Sequence, residues 1–177
     1  MEVSRMLFSH HVCSMVNKPI SGLYRGVNMA KLVKELMSNK FVKVREGDQI
    51  FEAAAKVAED RETLLACVVD KNGKLVGIIT PRELLKAAEV SGYRGVRHPF
   101  FSGREALHLL SSDYARDIMS SPVSVKPDDE VQKAIDLMLY NNLYEIPVVD
   151  KDSRVIGEVN FMDIISHSVW QRDTGRE

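Results

Sequence analysis

The sequence predicts a mixed α/β (α+β) fold in which two β-α-β-β-α units share one core. An internal repeat is the main evidence, because residues 36–85 and 118–165 carry the same features in the same order. Equivalent residues stay 80 to 82 positions apart, from Met37 and Met119 at the start to Gly77 and Gly157 near the end. A register held over about 50 residues indicates a duplicated unit. One unit buries too little surface to be stable alone, so we expect the two to pack about a pseudo-two-fold axis with equivalent clefts between them.

Each element of the unit has its own signal in the sequence. Both units open with an aliphatic-Met-Ser triplet and a short alternating strand, at residues 41–44 and 123–125. A helix with a one-sided apolar stripe follows, since apolar residues fall at i, i+4, i+7 and i+8 from Ile50 and again from Val131. Branched apolar runs then predict a buried strand and a second strand in each unit. These strands are expected at residues 64–69, 75–79, 143–149 and 155–159, with final helices beginning at Pro81 and Phe161.

These features divide the chain into five parts. We assign residues 1–29 to an N-terminal leader, 30–88 to the first repeat, 89–114 to a connecting segment, 112–168 to the second repeat and 169–177 to a tail. The connecting segment is longer than a simple linker and has a helical pattern at 105–110.

Composition indicates a globular protein with no strong electrostatic bias. The hydrophobic fraction of 45% is too high for a disordered chain, and the net charge of −1 gives no global reason to expect nucleic acid. Only two cysteines occur, Cys13 and Cys67, so no disulfide framework is implied and a cytoplasmic location is expected. No apolar run approaches the ~18 residues of a membrane span, and we expect no membrane association.

The junctions between each second strand and the following helix are the most informative segments. One reads Gly77-x-x-Thr80-x-x-Glu83 and the other Gly157-x-x-Asn160-x-x-Asp163. A polar residue at the helix start with an acid three residues later is a helix cap, and capping alone accounts for the pattern. The same arrangement also suits a ligand, because a helix N-terminus attracts phosphate and a carboxylate accepts bonds from both hydroxyls of a ribose. Arg82 would then neutralise phosphate.

The doubled pattern resembles a tandem pair of CBS (cystathionine β-synthase) domains, known as a Bateman module, over about two thirds of the chain. The resemblance rests on the Met-Ser openings, the two junctions, the helix segments Ala53-Ala54-Ala55 and Ala134-Ile135, and the strand Ile146-Pro147-Val148-Val149-Asp150. It implies a non-catalytic regulatory module whose clefts bind AMP, ADP, ATP, S-adenosylmethionine or a similar adenosine-containing ligand as an effector. It further implies a homodimer that acts on an unidentified effector protein and needs no cofactor.

The resemblance also implies roles for individual residues. Thr80 and Asn160 would face phosphate or ribose, while Glu83 and Asp163 would hold the ribose hydroxyls. Residues that would contribute to the base pocket precede the buried strands or lie on the opening strands: Leu64, Leu65, Tyr144, Glu145, Val42 and Ser124.

Three departures distinguish the two repeats. Glu83 stands where the family usually has aspartate, and Cys67 stands where the second repeat has Pro147. Glu158 follows the glycine of the second junction, where an aliphatic residue is usual. Because a buried unpaired carboxylate is costly, we expect Glu158 to face solvent, a partner or a cationic group of a ligand.

Three other functions are alternatives to a regulatory module that binds a ligand. A nucleic-acid-binding protein would use the basic leader and the 94–104 loop, where aromatic residues alternate with Arg94, Arg97 and Arg104. A ligand-free dimerising scaffold would leave the junctions as plain helix caps. An enzyme has little support, since no nucleophile-base motif is present. No metal site is predicted, because the spacing of His10, His11 and Cys13 matches no usual zinc pattern.

Overall fold

The computed structural model describes residues 32–60, 62–92 and 102–173. The leader, with His10, His11 and Cys13, lies outside the described residues, and so do Arg94 and Arg97. The hypotheses that rest on them therefore stay predictions.

The first repeat has the predicted order of elements. It consists of β1 (Val42–Arg45), α1 (Ile50–Glu59), β2 (Ala66–Val69), β3 (Leu75–Ile79) and α2 (Pro81–Gly92). Strand β2 lies in the middle of the sheet, parallel to β1 and antiparallel to β3. The chain reverses between β2 and β3 at Gly73, whose φ of 80° lies in the left-handed region that favours glycine.

The second repeat has the same plan with a reduced opening strand. After the short helix α4 (Ala115–Ile118) come α5 (Val131–Asn141), β4 (Glu145–Val149), β5 (Val155–Asn160) and α6 (Phe161–Asp173). Strands β4 and β5 form an antiparallel pair, and the strand predicted at 123–125 is reduced to one parallel bridge between Val125 and Val148. Pro147 explains the difference, since it replaces Cys67 beside the opening strand and has no N–H to donate.

The opening segments of the two repeats are exchanged. A 3₁₀ turn at Val33–Glu35 leads into Ser38, which bonds to Glu158 of the second repeat, and Ser120 bonds in the same way to Ile78 of the first. The exchange extends to the cores, where Val33 packs in the second repeat and Ala115 in the first. Reciprocal contacts of this kind are what the predicted pseudo-two-fold relation requires.

A third apolar cluster joins the repeats. Leu65, Cys67 and Ile78 from the first repeat pack with Val149 and Val155 from the second. The prediction of two β-α-β-β-α repeats sharing one core is therefore confirmed.

Within the connecting segment, the structure contains α3 (Gly103–Leu110), which begins two residues before the predicted helical pattern. Ser102 caps it by accepting a bond from the Glu105 N–H at 3.2 Å. Helix α3 packs against α2, so it is placed beside the junction of the first repeat. None of the helices in the described part of the chain is both long and apolar enough to cross a membrane.

Candidate ligand cleft

A cavity of about 1480 Å³ lies where the first junction meets the second repeat. Its wall includes the end of β3 and two turns of α2, from Thr80 to Glu89. The facing wall comes from the opening segment of the second repeat, including Ser120 and Ser121, and from the segment that leads into β4. A pocket of this size is at least as large as those that hold ordinary small-molecule ligands, which are roughly 300–1,000 Å³.

Seven of the residues predicted to contact ligand line this one cavity. They are Leu64, Leu65, Thr80, Arg82, Glu83, Tyr144 and Glu145. The sequence placed them in three separate segments, and the shared core brings these segments together.

At the first junction the carboxylate is fixed in place by the helix start. Glu83 Oε2 accepts from the Thr80 N–H at 3.1 Å and also contacts the Thr80 hydroxyl. This is half of a capping box, so the capping interpretation is correct as far as it goes. Because both residues also line the cavity, the cap presents a carboxylate and a hydroxyl to a ligand in the cavity.

Two basic side chains lie on the α2 wall of the cavity, which Glu83 and Glu89 also line. Arg82 is exposed, and Lys86 follows one helical turn later on the same face of α2. The Lys86 Nζ lies 2.9 Å from Glu105 Oε1 of α3, and the two side chains are 27% and 39% exposed. Lys86 was not among the predicted site residues, although its position four residues after Arg82 indicated it.

An exposed aromatic ring stands at the cavity rim. Tyr144 is 66% exposed and packs edge-on against Phe161, with ring centroids 5.7 Å apart. The Phe161 N–H donates to the Tyr144 carbonyl at 2.9 Å, which fixes the base of the tyrosine against the start of α6. Aromatic rings held this way provide a face on which a planar base can stack.

The second junction is a closed cap. The Asp163 N–H donates to Asn160 Oδ1 at 3.0 Å, and the Asn160 N–H lies 3.4 Å from Asp163 Oδ2. These two residues are not part of the cavity lining. Val42 is also absent from the cavity lining; it is buried in the core of the first repeat and borders a shallow surface pocket beside Lys40. The half-buried Ser124 does not line the cavity either. Exposed Arg104 on α3 is also absent from the lining.

The prediction for Glu158 is wrong. Its side chain is only 3% exposed and accepts a bond from the Thr63 hydroxyl at 3.0 Å. Burial, and next the nearby Glu145 carboxylate, raise the pKa of Glu158 to about 8. A raised pKa favours the neutral, protonated form of the carboxyl, and that form lowers the cost of burying it. A single sequence does not reveal such a burial.

Ser120 and Ser121 were not predicted to contact ligand. They enter the cavity because the opening segment of the second repeat crosses to the first. In the sequence they follow Met119 in the second repeat, and no pattern there indicates that this segment crosses to the first repeat.

The fold and the cleft define a tandem-repeat module with a cavity large enough for a small molecule between its halves. The CBS domain family model matches residues 33–90 and 115–169, so the chain belongs to the CBS domain family. Among curated relatives, a homoserine O-acetyltransferase of Methanohalobium evestigatum is 31% identical over 133 residues. That match covers 75% of this chain and only 23% of the relative, so the similarity extends over a fraction of that enzyme.

Solved structures confirm the architecture. The CBS domain pair of protein MJ0100, in complex with 5′-methylthioadenosine and S-adenosyl-L-methionine, is 26% identical with a TM-score of 0.59 and covers 76% of this chain and 97% of that one. The cytosolic domain of the Mg²⁺ channel MgtE, in complex with ATP, is also 26% identical, with a TM-score of 0.57, and covers 77% of this chain and 48% of that one.

Proposed function

We propose that this chain is a non-catalytic regulatory module that binds an adenosine-containing ligand in the cavity at the first junction. The observation that carries the proposal is the convergence of Thr80, Glu83, Arg82 and Tyr144 on one cavity. Adenosine-containing molecules are also the ligands named for the two similar structures above.

Each part of the ligand has a suitable group. The Glu83 carboxylate accepts bonds from the two ribose hydroxyls, and the Thr80 hydroxyl lies beside it. The base stacks on Tyr144 at the rim. Phosphate groups extend along α2 toward Arg82 and Lys86, which favours a nucleotide over S-adenosylmethionine, whose sulfonium is positively charged.

Regulation would follow from a population shift. A ligand that contacts both repeats stabilises the closed arrangement of the module, because it binds that arrangement better than an open one. The closed form then offers a different surface to an effector protein.

A homodimer is the second part of the proposal. Helix α5 exposes Leu139 and Tyr140, at 70% and 83%, and a second copy would cover them. Measuring the molar mass by light scattering tests this part, and a monomer that persists at high concentration would contradict it. The double variant Leu139→Glu/Tyr140→Glu should be monomeric.

Thermal unfolding with candidate ligands tests the binding proposal. AMP, ADP, ATP, 5′-methylthioadenosine, S-adenosylmethionine and NAD would each be added to the protein. A ligand at about 100 times its dissociation constant adds about 2.7 kcal/mol to the free energy of unfolding, which raises the Tm by roughly 5–10 °C. No shift with any of them would leave the junctions as helix caps and favour the dimerising scaffold.

The number of sites is a separate prediction. Only the first junction opens onto the large cavity, so titration calorimetry should give one nucleotide per chain. A stoichiometry of two would show that Asn160 and Asp163 form a working site as well.

A further inference from the structure

Two buried carboxyl groups lie side by side between the repeats. Glu145 on β4 and Glu158 on β5 are each 3% exposed. Glu158 lies opposite Pro147, and Glu145 lies opposite Asn160 at the next position on the same face of the hairpin. That face is turned toward the first repeat.

Both carboxyls hold the first repeat directly. The Thr63 hydroxyl donates to Glu158 Oε1 at 3.0 Å, and the Leu64 N–H donates to Glu145 Oε2 at 2.8 Å. Thr63 and Leu64, which lie shortly before β2, are thereby attached to the β4–β5 hairpin. Leu64 and Glu145 also line the ligand cavity, so this attachment forms part of its wall.

The second oxygen of Glu158 has no hydrogen-bond partner within the described residues. An ionised carboxylate in that position would be buried with one oxygen unsatisfied, which costs several kcal/mol. A protonated carboxyl avoids most of that cost, because it carries no net charge.

The surroundings of Glu158 act in the same direction. Within the described residues, the ionisable groups that interact with it from the neighbouring elements are Glu145 on β4, Asp60 before β2, Asp163 on α6 and the Cys67 thiol on β2. All of these groups are acidic. Burial and, next, the Glu145 carboxylate raise the pKa of Glu158 to about 8, with smaller contributions from Asp60 and Asp163, and burial also raises the pKa of Glu145. Two adjacent carboxyls of this kind titrate as a pair.

We propose that Glu145 and Glu158 form a proton-binding site that joins the two repeats. At neutral pH the pair holds one proton, and the repeats are held together at Thr63 and Leu64. When the O–H bond of the protonated carboxyl breaks, the proton passes to solvent and a second negative charge remains in the interface. Repulsion then weakens the attachment of residues 63–64 and alters the cavity wall. The effect on ligand rests on the proposed function, whereas the proton site does not.

The pH dependence has a definite sign. The pKa of Glu158 is above its ordinary value of 4.5 in the folded protein, so the folded state holds a proton that the unfolded state has lost. The resulting contribution to stability is complete below about pH 4.5, falls as pH rises and is gone above about pH 8.

Ligand-free thermal unfolding tests the site. The Tm of the wild-type protein should fall by on the order of 5 °C between about pH 6 and pH 9 relative to Glu158→Gln, which keeps the shape of the neutral acid. Thr63→Val removes a hydrogen bond that lowers the pKa of Glu158, so its transition should lie at higher pH than that of the wild type. This second variant decides the question if Glu158→Gln does not fold.

Two controls and a ligand measurement complete the experiment. Asp152→Asn removes an exposed carboxylate from the turn of the same hairpin and should leave the pH dependence intact. Arg61 lies two residues before Thr63 in the sequence, and Arg61→Gln should also leave the pH dependence intact. Loss of the dependence in this variant would mean that the arginine pairs with an ionised Glu158 and would overturn the proposal. Parallel curves for the wild type and Glu158→Gln would overturn it too. AMP affinity should fall with rising pH in the wild type only. If no adenosine compound binds at any pH, the proposed function fails, but the ligand-free unfolding curves still test whether the proton site exists.

Discussion

The two repeats have the same backbone plan but differ in the side chains that they turn toward each other. Leu65, Cys67 and Ile78 of the first repeat occupy the positions that Glu145, Pro147 and Glu158 occupy in the second, 80 residues later. At these positions the first repeat is therefore apolar, whereas the second carries two carboxyl groups. Both repeats have a capped helix at the strand-to-helix junction, but the residues beneath the two junctions differ. Of these two junctions, the first opens onto the large cavity and the second does not.

Replacing the two junction carboxylates separately should give the largest difference. Glu83→Ala removes two charge-assisted hydrogen bonds to the ribose, worth about 3 kcal/mol together, so nucleotide affinity should fall about 100-fold. Asp163→Ala should change affinity less than about threefold. Titration calorimetry measures both.

Each of these variants also removes a helix cap, so the pair is matched for its effect on the helix start. Glu83→Asp, which restores the usual residue of the family, should retain most of the affinity. Equal losses in Glu83→Ala and Asp163→Ala would mean that both junctions bind ligand.

Alanine variants of the two junction glycines should differ in their free energy of unfolding rather than in ligand affinity. A methyl group on Gly157 would meet the backbone carbonyl of Ser38, whereas one on Gly77 would meet the side chain of Met119. The carbonyl is fixed because it accepts a bond from the Glu158 N–H at 2.9 Å, while the methionine side chain has several rotamers.

Gly157→Ala should therefore lower the free energy of unfolding by about 2–3 kcal/mol, and Gly77→Ala by about 1 kcal/mol or less. Urea denaturation monitored by circular dichroism measures the difference. If the two variants lose the same free energy of unfolding, the two exchanged opening segments are packed equally tightly, which would contradict this prediction.

The contrast between the repeats also shows what the sequence can and cannot predict. The periods of the apolar residues predicted the elements well, since α1 and α5 begin at Ile50 and Val131 and β3 covers the predicted residues 75–79. Those patterns depend on local backbone geometry, which each segment determines for itself. The set of residues that line the cavity cannot be predicted in this way, because it depends on which distant segments come together in the folded chain.

The exchange of the opening segments was not predicted, and it explains why Ser120 and Ser121 were missed. A repeat pattern is the same whether the segment before each opening strand packs on its own unit or on the other one. Glu158 was misplaced for another reason. Its buried carboxyl accepts a bond from Thr63, which lies 95 residues away in the sequence.

The smallest predicted effect concerns a feature that only the first repeat has. Lys86 lies at the cavity wall and pairs with Glu105 of α3, whereas the equivalent position in α6 is Ser166. Lys86→Gln should weaken ATP binding about three- to tenfold and leave 5′-methylthioadenosine binding unchanged, since only ATP carries phosphate. Glu105→Gln should strengthen ATP binding about twofold, because a partly exposed ion pair is worth only about 0.2–1 kcal/mol and its loss frees the lysine for phosphate. Titration of the two variants with both ligands would show whether the connecting helix adjusts the affinity of the cleft, and a change for 5′-methylthioadenosine as large as that for ATP would assign Lys86 a purely structural role.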